Sequence, residues 1–274
     1  MATATSESLP EAPGNAPISA PDYCDLDPFG LTAAGHDFTF YPHGQDRLKA
    51  LVALIESAQQ SLKVFYYLFD SDTSGTMVRD ALVAAARRGV KVDLMVDDFG
   101  NDAGTEFFDP LVEAGGTFAI FSPKLSRRYF VRNHQKMTIA DETRVMTGGA
   151  NVSDHYFAIP AENGWCDLMV LIEGPVVEQF TRWFGLLQKW VENEAQGRTR
   201  RLRALRDIVK AWDGGEGPVR LLVGGRWCAG ATGPGCCGRI WSARCGSTPC
   251  RPISPRHAAS AACSPASAGA EKRG

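Results

Sequence analysis

Residues 61–96 constrain the fold more than any other stretch of the chain. SLKVFYYLF (61–69) is an apolar, aromatic-rich run of the kind that forms a buried strand. DSDTSG (70–75) supplies turn chemistry and helix-capping side chains. Thr76 to Arg88 is an Ala-rich helical stretch, and Gly89 suits its C-terminal stop. VKVDLMV (90–96) is a second strand. A strand, a crossover helix and a strand of these lengths form a parallel unit, which predicts an α/β domain. The second strand runs into Asp97-Asp98. Acidic residues there either line a cleft at the strand's carboxyl end or sit on a solvated loop.

The neighbouring segments extend this pattern. DRLKALVALIESAQQ (46–60) is a helix with Leu48, Leu51, Ile55 and Ala58 on one face. Glu106 to Glu113 is a short helix, and TFAIF (117–121) a strand. KMTIA (136–140) and RVMTG (144–148) pair as a hairpin around Asp141-Glu142-Thr143. CDLMVLIEG (166–174) is a further strand. Pro175 then opens a long helix to about Asn193, as Pro does at a first helical position. Its stripe of Val177, Phe180, Phe184, Leu187 and Val191 reads as core. The expected fold is a mostly parallel or mixed sheet covered by helices.

The ends differ from this middle. Residues 1–34 are rich in Ala, Pro and Ser near the start, lack apolar periodicity and read as a disordered segment. They show neither the basic nor the apolar region of a secretory signal. Residues 35–196 are the expected folded domain, and 197–223 a basic linker and the start of a second half. Arg198, Arg200, Arg201, Arg203 and Arg206 there read as a solvated helix face, with anionic lipid or nucleic acid as the alternative contact. From Gly224 to Gly274 the composition changes. Six of the chain's eight cysteines fall there (Cys228, Cys236, Cys237, Cys245, Cys250, Cys263), Glu271 is the only acid, and Leu, Val, Phe, Tyr and Met are missing. Such a segment cannot build a core. It reads as an out-of-frame translation of GC-rich DNA. A metal or disulfide module is the competing reading, but there is no CxxC pair and only His257 to add a ligand.

The formal net charge of -2 singles out neither nucleic acid nor an anionic membrane as partner. No apolar run reaches the roughly 18 to 20 residues that span a bilayer. The missing signal and the missing span predict a cytoplasmic protein, with secretion as the alternative; any contact with the inner membrane surface would be peripheral.

The chemistry concentrates in HQKMTIADETRVMTGGANVSDH (134–155). His134 and Lys136 are two apart on a strand, so their side chains share a face. A neutral imidazole, with a reference pKa of about 6.5, acts as nucleophile or base near neutrality. A fixed ammonium holds an anionic oxygen as a point charge. Asp141 is a carboxylate that would orient an imidazole, although alternation puts it on the other face and the turn must redirect it. Gly148 and Gly149 let backbone approach a ligand, and Asn151 adds an amide donor.

As a set, H-x-K-x4-D followed by GGAN (148–151) resembles the HKD motif of the phospholipase D superfamily. YYLFDSDTSGTMVRDALVAAARRGVKVDLMVDDFG (66–100), GGANVSDHY (148–156) and GWCDLMVLIEGPVVEQFTRWFGLLQKW (164–190) resemble the first-half block of bacterial cardiolipin synthases. The resemblance covers residues 38–223. It implies a phospholipase D-like mixed sheet flanked by helices, one half-domain of a two-half enzyme. It also implies phosphatidyl transfer through a phosphohistidine, without metal or cofactor. On that resemblance His134 is the nucleophile and Asp141 its orienting carboxylate, while Lys136, Gly149 and Asn151 hold the substrate phosphate. The implied partners are an anionic phospholipid such as phosphatidylglycerol and a membrane surface, not nucleic acid.

Such enzymes carry two HKD motifs, and here there is one. His257 has no Lys two residues on. Three readings follow: the N-terminal half of a cardiolipin synthase or phospholipase D, a single-motif nuclease or phosphodiesterase completed by a homodimer, or a silent fragment. The acceptor, another phosphatidylglycerol or water, is not legible from the residues.

Overall fold

The computed structural model describes residues 26–101, 103–122, 133–195 and 201–223. The expectations for residues 1–25, for Arg198 and Arg200, and for the tail from Gly224 fall outside the described residues. So do the side chains of Arg201, Arg203 and Arg206.

The strands are β1 (Phe29–Ala33), β2 (His36–Tyr41), β3 (Ser61–Tyr66), β4 (Lys91–Asp97), β5 (Thr117–Phe121), β6 (Lys136–Ala140), β7 (Arg144–Gly148) and β8 (Met169–Glu173). The helices are α1 (Gly44–Ser57), α2 (Thr73–Arg87), α3 (Asp109–Glu113), α4 (Asp154–Phe157), α5 (Val176–Ala195) and α6 (Arg201–Ala211). They form one mixed sheet in the order β1-β2-β8-β7-β6-β3-β4-β5. Only β3, β4 and β5 run parallel to their neighbours, so the sheet is the mixed alternative of the expected α/β class.

Alternation sorts the strand side chains onto two faces. Leu62, Val64 and Tyr66 of β3, with Ala140 and Met146, join the apolar cluster under α1 and α2. Phe65, Met137, Ile139, Val145 and Ile172 point the other way, under α5. There Phe180, Trp183, Phe184, Leu187 and Trp190 are buried. Each such side chain stabilises the fold by roughly 1.5–3 kcal/mol relative to exposure. The predicted stripe is therefore core, widened by two tryptophans.

The crossover helix begins as its sequence requires. Asp72 caps α2 by accepting the Gly75 N–H at 2.9 Å, and Gly89 follows the helix at φ 90°. Asp97 is neither a cleft lining nor a solvated loop residue. It is buried and accepts the N–H groups of Phe99 (3.0 Å) and Asn133 (2.9 Å). It thereby ties the end of β4 to the approach into β6.

Two expectations change. The segment 1–34, read as disordered, contains β1, an edge strand that pairs antiparallel with β2. The connection is Ala34-Gly35, with φ of 53° and 74°, a two-residue hairpin turn of the primed kind. The basic linker 197–223 contains α6 and a following strap that both pack on α5. Leu205 is buried there, Trp212 stacks edge-on against Trp183 at 5.1 Å, and Trp212 Nε1 donates to Leu221 O at 2.8 Å.

Candidate active site

The carboxyl ends of β3 and β4 lie beside the start of β6, since Tyr66 pairs with Lys136. This is the sheet end at which α/β folds place ligands. His134 is exposed just before β6. Its ring stacks on Tyr67, centroids 3.8 Å apart and planes 17° from parallel. Lys136 is buried to 8% exposure. Its ammonium donates to the His134 carbonyl at 2.7 Å and lies 5.7 Å from the Tyr67 ring centroid. Burial pulls the Lys136 ammonium below its ordinary pKa, and the Asp167 carboxylate opposes that shift.

Three further contacts hold this strand entry in place. Thr147 Oγ1 donates to Lys136 O at 2.7 Å. Gln135, on the opposite face, accepts Trp183 Nε1–H at 2.6 Å from α5. Tyr66 is fully buried, which pushes its phenol up to about 12, and its hydroxyl pairs with Thr138 at 3.2 Å. His134 and Lys136 thus sit on a strand braced from both layers.

Asn151 is buried and closes the site from the β7 side. Its side-chain carbonyl accepts the Leu68 N–H at 3.1 Å, and its amide donates to the Tyr156 hydroxyl at 2.8 Å. The Tyr156 phenol is raised, first by burial and then by the charges of Asp167 and Asp70. Tyr67 and Lys136 thus contact His134 directly, Asn151 and Tyr156 are paired beside them, and the Asp167 charge acts on both Lys136 and Tyr156.

Of the other two expected site residues, Asp141 goes elsewhere and Gly149 lies against Asp167. Asp141 is at the far end of β6, seven residues from His134, or about 20 Å along an extended strand. It lies in the hairpin turn at φ 51°. Its carboxylate accepts the backbone N–H groups of Gln59 (3.0 Å), Gln60 (2.7 Å) and Ser61 (2.9 Å). Burial works to raise its pKa, but bonds from Ser61, Gln59 and Gln60 and the charge of Arg144 hold it below the usual carboxylate value. Asp141 is a cap for the start of β3 and not the orienting carboxylate of His134. Gly149 was expected to contact phosphate. A Cβ there would run into the Asp167 carboxylate, so its bareness makes room for that side chain.

Reasoning on the sequence missed Tyr67, Tyr156 and Asp167. Tyr67 read as one more strand aromatic. Asp167 lies inside the quoted GWCDLMV block, but a lone Asp before a strand carries no signal of its own.

The fold is a mixed α/β sheet that sets a buried lysine beside an exposed histidine at the carboxyl ends of β3 and β4. Residues 51–188 match the family model described as the PLD-like domain of cardiolipin synthase, and the chain belongs to that family. The major cardiolipin synthase ClsA of Bacillus subtilis is 34% identical over 140 residues, which are 49% of this chain and 29% of the relative. Cardiolipin synthase B of Shigella flexneri is 28% identical over 193 residues, 63% of this chain and 47% of the relative. The chain thus spans less than half the length of these curated relatives. Among solved structures, Nuc from Salmonella typhimurium, a phospholipase D family member, is 26% identical. It aligns with a TM-score of 0.42 over 55% of this chain and 91% of its own.

Proposed function

We propose that this chain supplies one half of a cardiolipin synthase-like phosphatidyltransferase, with His134 as nucleophile. The observation that supports the reading best is the pairing of exposed His134 with buried Lys136 on a braced strand. A ring nitrogen of His134 attacks phosphorus, forming a P–N bond as the P–O bond to the leaving alcohol breaks. The leaving oxygen takes a proton from a second histidine, which must come from a second motif. An acceptor alcohol then attacks, the P–N bond breaks, and the acceptor's proton returns to that second histidine. A covalent route of this kind divides one hard displacement into two.

Lys136 and Asn151 stabilise the charge on the phosphoryl oxygens. Lys136 is suited to this because an ammonium already desolvated by the fold interacts strongly with an anion. Asp167 supplies the carboxylate charge of the site, since it acts on both Lys136 and Tyr156. Phosphatidylglycerol, reached from a membrane surface, is the proposed substrate. Among the described residues no helix is long and apolar enough to cross a membrane.

The test is transfer from labelled phosphatidylglycerol in vesicles, by the chain alone and with a half carrying a second motif supplied, run beside hydrolysis of a labelled oligonucleotide, with the mass in solution recorded. Lipid transfer that disappears in His134→Ala supports the proposal. Oligonucleotide cleavage by a dimer, without lipid transfer, would replace it with a homodimeric nuclease.

A further inference from the structure

Arg47 is fully buried on the first turns of α1. A guanidinium has five N–H donors and no acceptor, and here all five are used. Nε donates to Tyr156 O at 3.1 Å and Nη2 to the same oxygen at 2.7 Å. Nη2 also donates to Trp165 O at 3.1 Å. Nη1 donates to Pro42 O at 2.5 Å and to Asp167 O. One side chain thus gathers four carbonyls, three of them from the loop 156–167.

That loop connects the site's two outer groups. At its start, the Tyr156 hydroxyl takes the Asn151 amide hydrogen bond. At its end, the Asp167 carboxylate occupies the space a Cβ on Gly149 would take, and its charge opposes the lowering of the Lys136 pKa. Between them, Trp165 folds back so that its N–H donates to His155 O at 2.7 Å and its ring stacks on His155 at 5.7 Å. The loop packs closely on α1, since a Cβ on Gly44 would meet the Phe157 and Ala158 carbonyls.

We infer that Arg47 is a positioning residue of the active site: its guanidinium fixes the loop that sets Tyr156 on Asn151 and the Asp167 carboxylate against Gly149. A buried cation is retained only where its donors are satisfied, and its removal leaves the acceptors stranded. Lysine has three donors and no planar fork, so it cannot make this set of bonds. The inference rests on the proposed function for its catalytic meaning, but the loop geometry can be read independently.

The test compares the 274-residue chain with its Arg47→Lys and Arg47→Met variants by histidine-ring NMR and by titration with inorganic phosphate. His155 on Trp165 reports the loop, His134 on Tyr67 reports the site, and His36 on the other side of the sheet reports the fold. The expected result is loss of the His155 ring-current shift, with His36 unchanged. Phosphate affinity falls about tenfold, the loss of one charge-assisted hydrogen bond. If Arg47→Met does not fold, Arg47→Lys carries the same expectation. Unchanged His155 and phosphate affinity in Arg47→Lys, or a shift of His36 as large as that of His155, overturns the positioning role. Wild-type protein that takes no phosphate counts against the proposed function, while the His155 readout still decides the role of Arg47.

Discussion

Asp141→Ala separates a structural carboxylate from a catalytic one. The carboxylate accepts three consecutive backbone N–H groups, at Gln59, Gln60 and Ser61. A hydrogen bond to a charged group contributes about 1.5–3 kcal/mol when protected from water. Gln59 and Gln60 are exposed, so water replaces part of each bond, and the expected net loss is about 2 kcal/mol. For a domain of this size that is a fall in Tm of roughly 4–8 °C. Because the folded pKa lies below the unfolded one, the contribution is full above the unfolded value near 3.8 and is lost as pH falls through the folded value. Mutant and wild type therefore converge in acid. The assay is thermal and urea unfolding at pH 7 and pH 3, with the ring resonances of His134 followed alongside. A stable Asp141→Ala protein with displaced His134 resonances would refute the reasoning and return Asp141 to the site.

Three other substitutions probe the same framework. Lys136→Met removes a desolvated ammonium, so the fold should lose no stability in urea, or gain about 1 kcal/mol, while inorganic phosphate binding is lost. Tyr67→Leu removes the stack on His134, worth about 0.5–1.5 kcal/mol; broadened or multiple His134 ring signals in NMR are the expected outcome, and a single sharp set contradicts it. His36 Nε2 accepts the Val176 N–H at 3.0 Å while Nδ1 pairs with Ala34 O at 2.8 Å. His36→Ala strands that buried N–H at the start of α5 and should cost about 1–3 kcal/mol in urea unfolding, without changing phosphate affinity.

The parts of the fold legible in sequence are those whose signals are local. The hairpin 136–148 combines alternation with a polar three-residue turn, and α2 carries its own cap and stop. β1 was hidden because FGLTA is an exposed edge strand with a glycine inside it, and its pairing with β2 depends on a two-residue turn of Ala and Gly. The packing of α6 and of the strap after it was hidden because their anchors, Leu205 and Trp212, pack on a helix some twenty to thirty residues earlier. The site divides in the same way. His134, Lys136 and Asn151 are close in the chain and in space. Asp141 was misassigned because its partners lie about eighty residues upstream. Arg47 sits on a helix face whose apolar neighbours explain the helix without it, and its acceptors are backbone carbonyls that no side-chain pattern announces.

The central claim is that His134 forms the covalent bond to phosphorus. The direct measurement is a rapid acid-free quench of the protein with labelled phosphatidylglycerol, followed by peptide mapping of the adduct by mass spectrometry. The account predicts a phosphatidyl group on the peptide containing His134, stable to base, labile to acid and missing in His134→Ala. An adduct on another residue, or one that survives His134→Ala, would contradict it.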